Sequence, residues 1–158
     1  MIQTTDTSER GLERLIAGYL TDTGGYTAGR PENYDRNRGI DKAQLFRFLH
    51  DTQPEEVEKL KRIHGSDYQD RFAQRLHERL RKRGILHILR NGIRDRDAKL
   101  TLYYPRPSFG ESFNEKAWSR YQANRFSVTR QLRFQEDASE SVDLAVFVNG
   151  LPVATMEL

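Results

Sequence analysis

Apolar and polar positions change their period partway along this chain of 158 residues. Up to about residue 83 the apolar positions recur every three or four residues, which predicts helices; from about residue 98 they alternate or run together, which predicts strands. Ser8 is placed to cap a helix over 9–20, with Leu12, Leu15, Ile16, Tyr19 and Leu20 along one side and Gly24-Gly25 beyond its end. Residues 21–40 read as loop. Asp41 caps a second helix carrying Leu45, Phe46, Phe48 and Leu49. Pro54 opens a third, with Val57, Leu60 and Ile63, that stops at Gly65. A fourth runs from Asp67 to Arg83 on a stripe of Phe72, Leu76 and Leu80. AKLTLYY, 98–104, alternates as a strand and is stopped by Pro105 and Pro107. Ser112 or Asn114 caps a short helix whose Trp118 and Tyr121 are expected to pack in the core. Arg125 to Phe134 is the next strand, with Phe126, Val128, Leu132 and Phe134 on one face and Ser127, Thr129, Gln131 and Arg133 on the other. Arg130 falls on the apolar face, where a charge needs a carboxylate or phosphate partner, or a path to solvent along its own stem.

The last stretch, SVDLAVFVNGLPVATMEL, is a hairpin about Asn149-Gly150. Its first strand is apolar on both faces, the pattern of a central strand covered on both sides. Asp143 opens that strand and Glu157 closes the returning one. Register decides whether the two carboxylates meet, because a slip of one residue turns every side chain over. A plain two-residue turn sets Asp143 opposite Met156. A three-residue loop, or an equivalent bulge, sets Asp143 opposite Glu157, with Cβ atoms about 4.5–5.5 Å apart. Two carboxylates that close call for a proton or a cation between them, and hard oxygen ligands with room for water suit Mg²⁺. The alternative is a strand-end Asp and a solvated Glu.

Composition narrows the class. With 36% hydrophobic and 31% charged residues the chain suits one soluble α/β domain, and no apolar run approaches membrane-spanning length. There is no Cys, hence no disulfide framework and no thiolate metal site. A cytoplasmic location and no membrane partner are expected. The net charge is only +3, but ten Lys/Arg against three acids make Arg71–Lys99 +7 and leave the rest at −4. Such a block is what phosphate contact requires, or else a solvated helix face. Arg75 and Arg79 on its helical stripe are the candidate DNA contacts there. His50 and His64 lack partners at metal-ligand spacing and read as structural. No GxxxxGK[ST] loop for ATP is present.

Asn124-Arg125-Phe126-Ser127-Val128-Thr129-Arg130-Gln131-Leu132, then Val142-Asp143-Leu144, Val148-Asn149-Gly150-Leu151-Pro152 and Glu157-Leu158, resemble the N-terminal nuclease region of type I restriction enzyme R subunits. The resemblance covers essentially the whole chain and is sharpest from Asn124 onward. It implies a restriction-endonuclease-like α/β fold: a mixed central sheet of about four strands, flanked by helices, with an added helical region over 41–84 and the sheet core over 98–158. It implies a PD-(D/E)xK site in which Asp143 and Glu157 are catalytic and hold Mg²⁺, with Glu13 of the first helix as a further metal ligand. Arg130 and Gln131, inside the matching stretch, become candidate DNA contacts. The motif Lys falls just past Leu158, so residues 1–158 alone are expected to fold without cutting. Implied partners are double-stranded DNA and the methylation and specificity subunits of the same complex, with ATP used only by motor domains beyond Leu158. A non-catalytic DNA-binding or subunit-docking module is the alternative.

Overall fold

A computed structural model describes residues 8–135, 137 and 139–158. The elements run in the order α1 (Glu9–Asp22), β1 (Thr27–Ala28), β2 (Tyr34–Asp35), β3 (Ile40–Asp41), α2 (Lys42–Thr52), α3 (Pro54–His64), α4 (Tyr68–Arg83), α5 (Ile85–Asn91), β4 (Ile93–Asp95), β5 (Ala98–Leu100), α6 (Glu115–Gln122), β6 (Phe126–Leu132), β7 (Val142–Val148) and β8 (Leu151–Met156). Three helices start at the side chains suited to cap them. Ser8 Oγ accepts from the Gly11 N–H, Asp41 from Gln44 and Asn114 from Ala117, each at 3.1 Å. Asn114, not Ser112, is therefore the cap of α6.

The central sheet has four strands in the order β1-β6-β7-β8. β1 lies parallel to β6 and the other pairs are antiparallel, so the sheet is mixed, as expected. Its fourth strand is not the expected one. Residues 98–100 pair back on Ile93–Asp95 as a separate two-stranded ribbon. The missing edge comes from within 21–40, which is not all loop. There β1 joins the central sheet, and β2 pairs with β3. Glycine makes the edge possible. The Gly29 N–H donates to the Val128 carbonyl at 2.8 Å, and a Cβ at Gly29 would sit 2.1 Å from Thr129 Oγ1.

The largest apolar cluster lies away from the central sheet. It joins α2 to α5 and the β4–β5 ribbon through fully buried Leu45, Phe48, Leu60 and Phe72. Each such side chain contributes about 1.5–3 kcal/mol on burial. Two smaller clusters cover the sheet. Ala17 of α1, with Ile16 and Leu20, packs on Val128, Leu144 and Met156. Tyr34 packs on Leu132, Ala145 and Phe147. Residues 144–148 of β7 are all buried, which is the covered central strand their apolar run implies.

The hairpin turn ties sheet to helices. Leu151 belongs to the large cluster, and the Asp41 N–H donates to the Gly150 carbonyl at 2.9 Å. A Cβ on Gly150 would lie 2.4 Å from the Asp41 carbonyl oxygen and 2.7 Å from the Leu45 nitrogen. Asn149 (φ 50°) and Gly150 (φ 82°) are both left-handed, as a two-residue turn demands. The fully buried Asn149 amide donates to the Leu102 carbonyl and to Asn124, and accepts from the Arg125 N–H.

Candidate functional site

Hairpin register comes first. Val148 pairs with Leu151 and Phe147 with Pro152, so the loop has two residues rather than three. Val146 then pairs with Ala154, which leaves Val153 as the extra residue of a bulge. The bulge restores the one-residue offset that the shorter loop removes. Leu144 consequently faces Met156, the last pair of the ladder, and the same register carried one residue further would set Asp143 opposite Glu157. Glu157 is exposed, one residue past the end of β8. Asp143, Glu157, Glu140 and Ser141 line one crevice of about 370 Å³.

β6 supplies the second half of the site through a break in its own alternation. Gln131 has φ 51°, left-handed backbone inside a strand. In regular strand, Arg130 and Gln131 would point to opposite faces. Here both reach Glu13: Arg130 Nε donates to Glu13 Oε1 at 2.5 Å and Gln131 Nε2 to Glu13 Oε2 at 2.8 Å. Gln131 Nε2 also donates to Asp143 Oδ1 at 3.1 Å. Ser141 Oγ donates to Gln131 Oε1 at 2.8 Å, which turns the amide nitrogen toward the two carboxylates. The Leu158 N–H donates to Asp143 Oδ2 at 2.8 Å. The same break moves Leu132 away from Val128: Leu132 packs with Tyr34 and Phe147, while Val128 packs with α1. The single apolar face of β6 read from its alternation is thus two half-faces. Ser127 and Thr129, read as outward, are buried as well, Thr129 under Gly29.

Four candidates therefore meet in one network: Glu13, Arg130, Gln131 and Asp143. Glu13 is only 2% exposed, and its charge is matched by Arg130. Glu13 reaches Asp143 through the Gln131 amide rather than across a shared opening, and no group of three His, Asp or Glu among the described residues is arranged to hold a metal. Asp143 and Glu157 on their crevice still fit Mg²⁺, which is commonly held by one or two carboxylates together with water and substrate phosphate. Ser141 was not a candidate; nothing in its local sequence marks it, because its role depends on where β6 lies.

Arg75 and Arg79 are not in this network. Arg75 sits 3.2 Å from buried Asp95, which also bonds His64 at 2.6 Å. Arg79 is exposed, as are Arg71, Arg81, Lys82, Arg83, Arg90, Arg94, Arg96 and Lys99, so the basic block is a surface. Trp118 and Tyr121 are half-buried and belong to no core cluster. They meet edge-on with centroids 5.9 Å apart, and the Arg106 guanidinium lies over the Trp118 ring. The core placement expected of them fails because α6 has no buried face. Two buried groups elsewhere have displaced ionisation. Burial, reinforced by the charge of Asp35, pushes the Tyr34 phenol up to about 12. Burial also raises the Asp41 carboxyl, against the lowering effect of the Gln44 and Ala43 N–H groups and of Arg125.

Fold and site together define a mixed α/β domain whose polar centre is built from carboxylates of a hairpin and of the first helix. The family model for the type I restriction enzyme R protein N terminus matches residues 6–158, and the chain belongs to that family. Comparison with curated proteins and with solved structures yields no match.

Proposed function

We propose that this domain is the nuclease of a type I restriction enzyme R subunit and cuts double-stranded DNA with Mg²⁺. The observation that carries the proposal is that Asp143 and Glu157 line one crevice, with the Val153 bulge supplying the one-residue offset that supports their meeting. Asp143 and Glu157 would hold the ion, which supplies an activated water and offsets charge on the phosphate. Gln131 orients Asp143, and Ser141 orients Gln131. Arg130 neutralises Glu13, so the buried carboxylate adds no unmatched charge beside the site. Residues following Leu158 would contribute the motif Lys, and ATP-driven motor domains and the methylation and specificity subunits would complete the system. Among the described residues no helix is long and apolar enough to cross a membrane.

The test has two parts. Residues 1–158 are expected to bind Mg²⁺ weakly by NMR titration, to lose that binding in Asp143→Ala, and to leave DNA uncut. A longer chain with its partner subunits should cut, and Asp143→Ala or Glu157→Ala should abolish cutting while DNA binding persists. Robust Mg²⁺-dependent cleavage by residues 1–158 would place the active site elsewhere. The exposed basic surface of α4 to β5 favours a second reading, a DNA- or subunit-docking module. Reversing Arg79 and Arg81 to Glu separates the two, because it should weaken docking without touching Mg²⁺ binding.

A further inference from the structure

Beside Glu13 a second crevice, of about 300 Å³, opens between α1, β1 and β6. We propose that it holds a backbone phosphate of the bound DNA, gripped by Arg14 and Arg130. The inference rests on the nuclease function proposed above and adds the place where the strand is anchored next to the reacting one.

Both arginines line the crevice and no acidic residue does. Arg130 spends only its Nε on Glu13; its two terminal nitrogens have no partner among the described residues, and its side chain is 45% exposed. Glu13 thus fixes the stem of Arg130 and leaves the outer edge of the fork free, the edge that grips phosphate oxygens. Arg14 is exposed and has no ion pair or hydrogen bond among the described residues. Four of the other seven wall residues, Ala17, Gly18, Ala28 and Gly29, are small, so a sugar-phosphate chain can come close to the backbone there. Arg130 is bonded in sequence to Gln131, which holds Asp143, and this puts the crevice beside the proposed reaction centre. The groove over α4 is a weaker host for phosphate. Its Arg38, Arg71, Arg75 and Arg96 face Asp67, Asp70 and Glu78, and Arg38 and Arg75 are already ion-paired.

Gly18 provides a test that spares the fold. A Cβ there meets nothing within 4 Å, and Glu is a better helix former than Gly. Binding of a short fluorescent duplex to residues 1–158 is followed by anisotropy across a salt series. Arg14→Gln is expected to lower affinity roughly tenfold and to reduce the slope of log K against log salt by about one. Gly18→Glu, which sets a carboxylate one helical turn from Arg14, should weaken binding at least as much with its circular dichroism unchanged. Lys116→Gln on α6 should change neither affinity nor slope beyond a small common offset. Unchanged binding and slope in Arg14→Gln and Gly18→Glu overturn the phosphate site, as does a wild type with no salt-dependent binding. Arg14-dependent binding of inorganic phosphate at matched ionic strength, with duplex affinity and salt slope unchanged in Arg14→Gln, would identify a free-anion site and overturn the assignment to DNA. Failure of the nuclease proposal shows separately, as Mg²⁺ binding that Asp143→Ala leaves intact.

Discussion

Asn149 illustrates how much one side chain carries. It holds a left-handed conformation and makes three hydrogen bonds, to Leu102, Asn124 and Arg125. Alanine there leaves buried partners unsatisfied, at about 1–3 kcal/mol each, and strains a residue that has a Cβ but no local polar compensation. Asn149→Ala is therefore expected to cost about 3–4 kcal/mol, read from the midpoint of urea unfolding. Tyr34 gives a pH signature. Its folded pKa is raised to about 12 by burial, with Asp35 adding to the shift, so the folded state holds the phenolic proton more tightly than the unfolded chain does. The stability this contributes is full below the ordinary value near 10 and is lost as pH rises through about 12. Wild-type Tm should fall across that window, and Tyr34→Phe, which cannot ionise, should flatten the fall. An equal fall in both proteins would sink the assignment.

At the scale of elements, the β7–β8 hairpin sets the geometry of the proposed metal pair. Val153 is the extra residue of its bulge, is 40% exposed and packs in no core cluster. Deleting Val153 removes the bulge but keeps Ala154 opposite Val146, so Glu157 stays opposite Asp143. Deleting Val153 and Ala154 together slips the strand by one and turns Glu157 to the other face. Mg²⁺ affinity by NMR titration should stay within about twofold in the first variant and vanish in the second, both remaining folded by circular dichroism. Loss in both would mean that the bulge residue itself, not the offset, matters.

Across the whole molecule, two assemblies share one seam. The helices α2 to α5 carry most of the apolar burial, while the sheet carries the polar centre; the hairpin turn, through Leu151 and Gly150, joins them. A methyl group at Gly150 would strike backbone atoms of Asp41 and Leu45 that no rotamer change can move, at a residue with φ 82°. Gly150→Ala should destabilise the protein by at least about 2 kcal/mol. It should also raise amide hydrogen exchange on both sides of the seam, in β7 and in the first turn of α2. A loss confined to the turn would show that the two assemblies hold together without it.

What the sequence determined by itself was local. Caps at Ser8 and Asp41, the Pro54 start, the Asn149-Gly150 turn and the buried β7 strand all follow from interactions within a few residues, where periodicity and turn chemistry act directly, whereas the choice of Asn114 over Ser112 was left to the structure. The helical expectation stopped at Arg83 and omitted α5, whose seven residues are too few to show a period. Tertiary structure decided which groups meet. Glu13 and Arg130 stand 117 positions apart, and their pairing depends on α1 lying against β6. Alternation could not foresee that Gln131 breaks it, because a left-handed residue in a strand is held by surrounding contacts rather than by its own preference. Nor could a basic stripe on α4 disclose that Arg75 serves a buried Asp95 while Arg79 faces water. A charge pattern records which side chains are available; burial and distance select the partner each one takes, because both set the electrostatic energy of the pair.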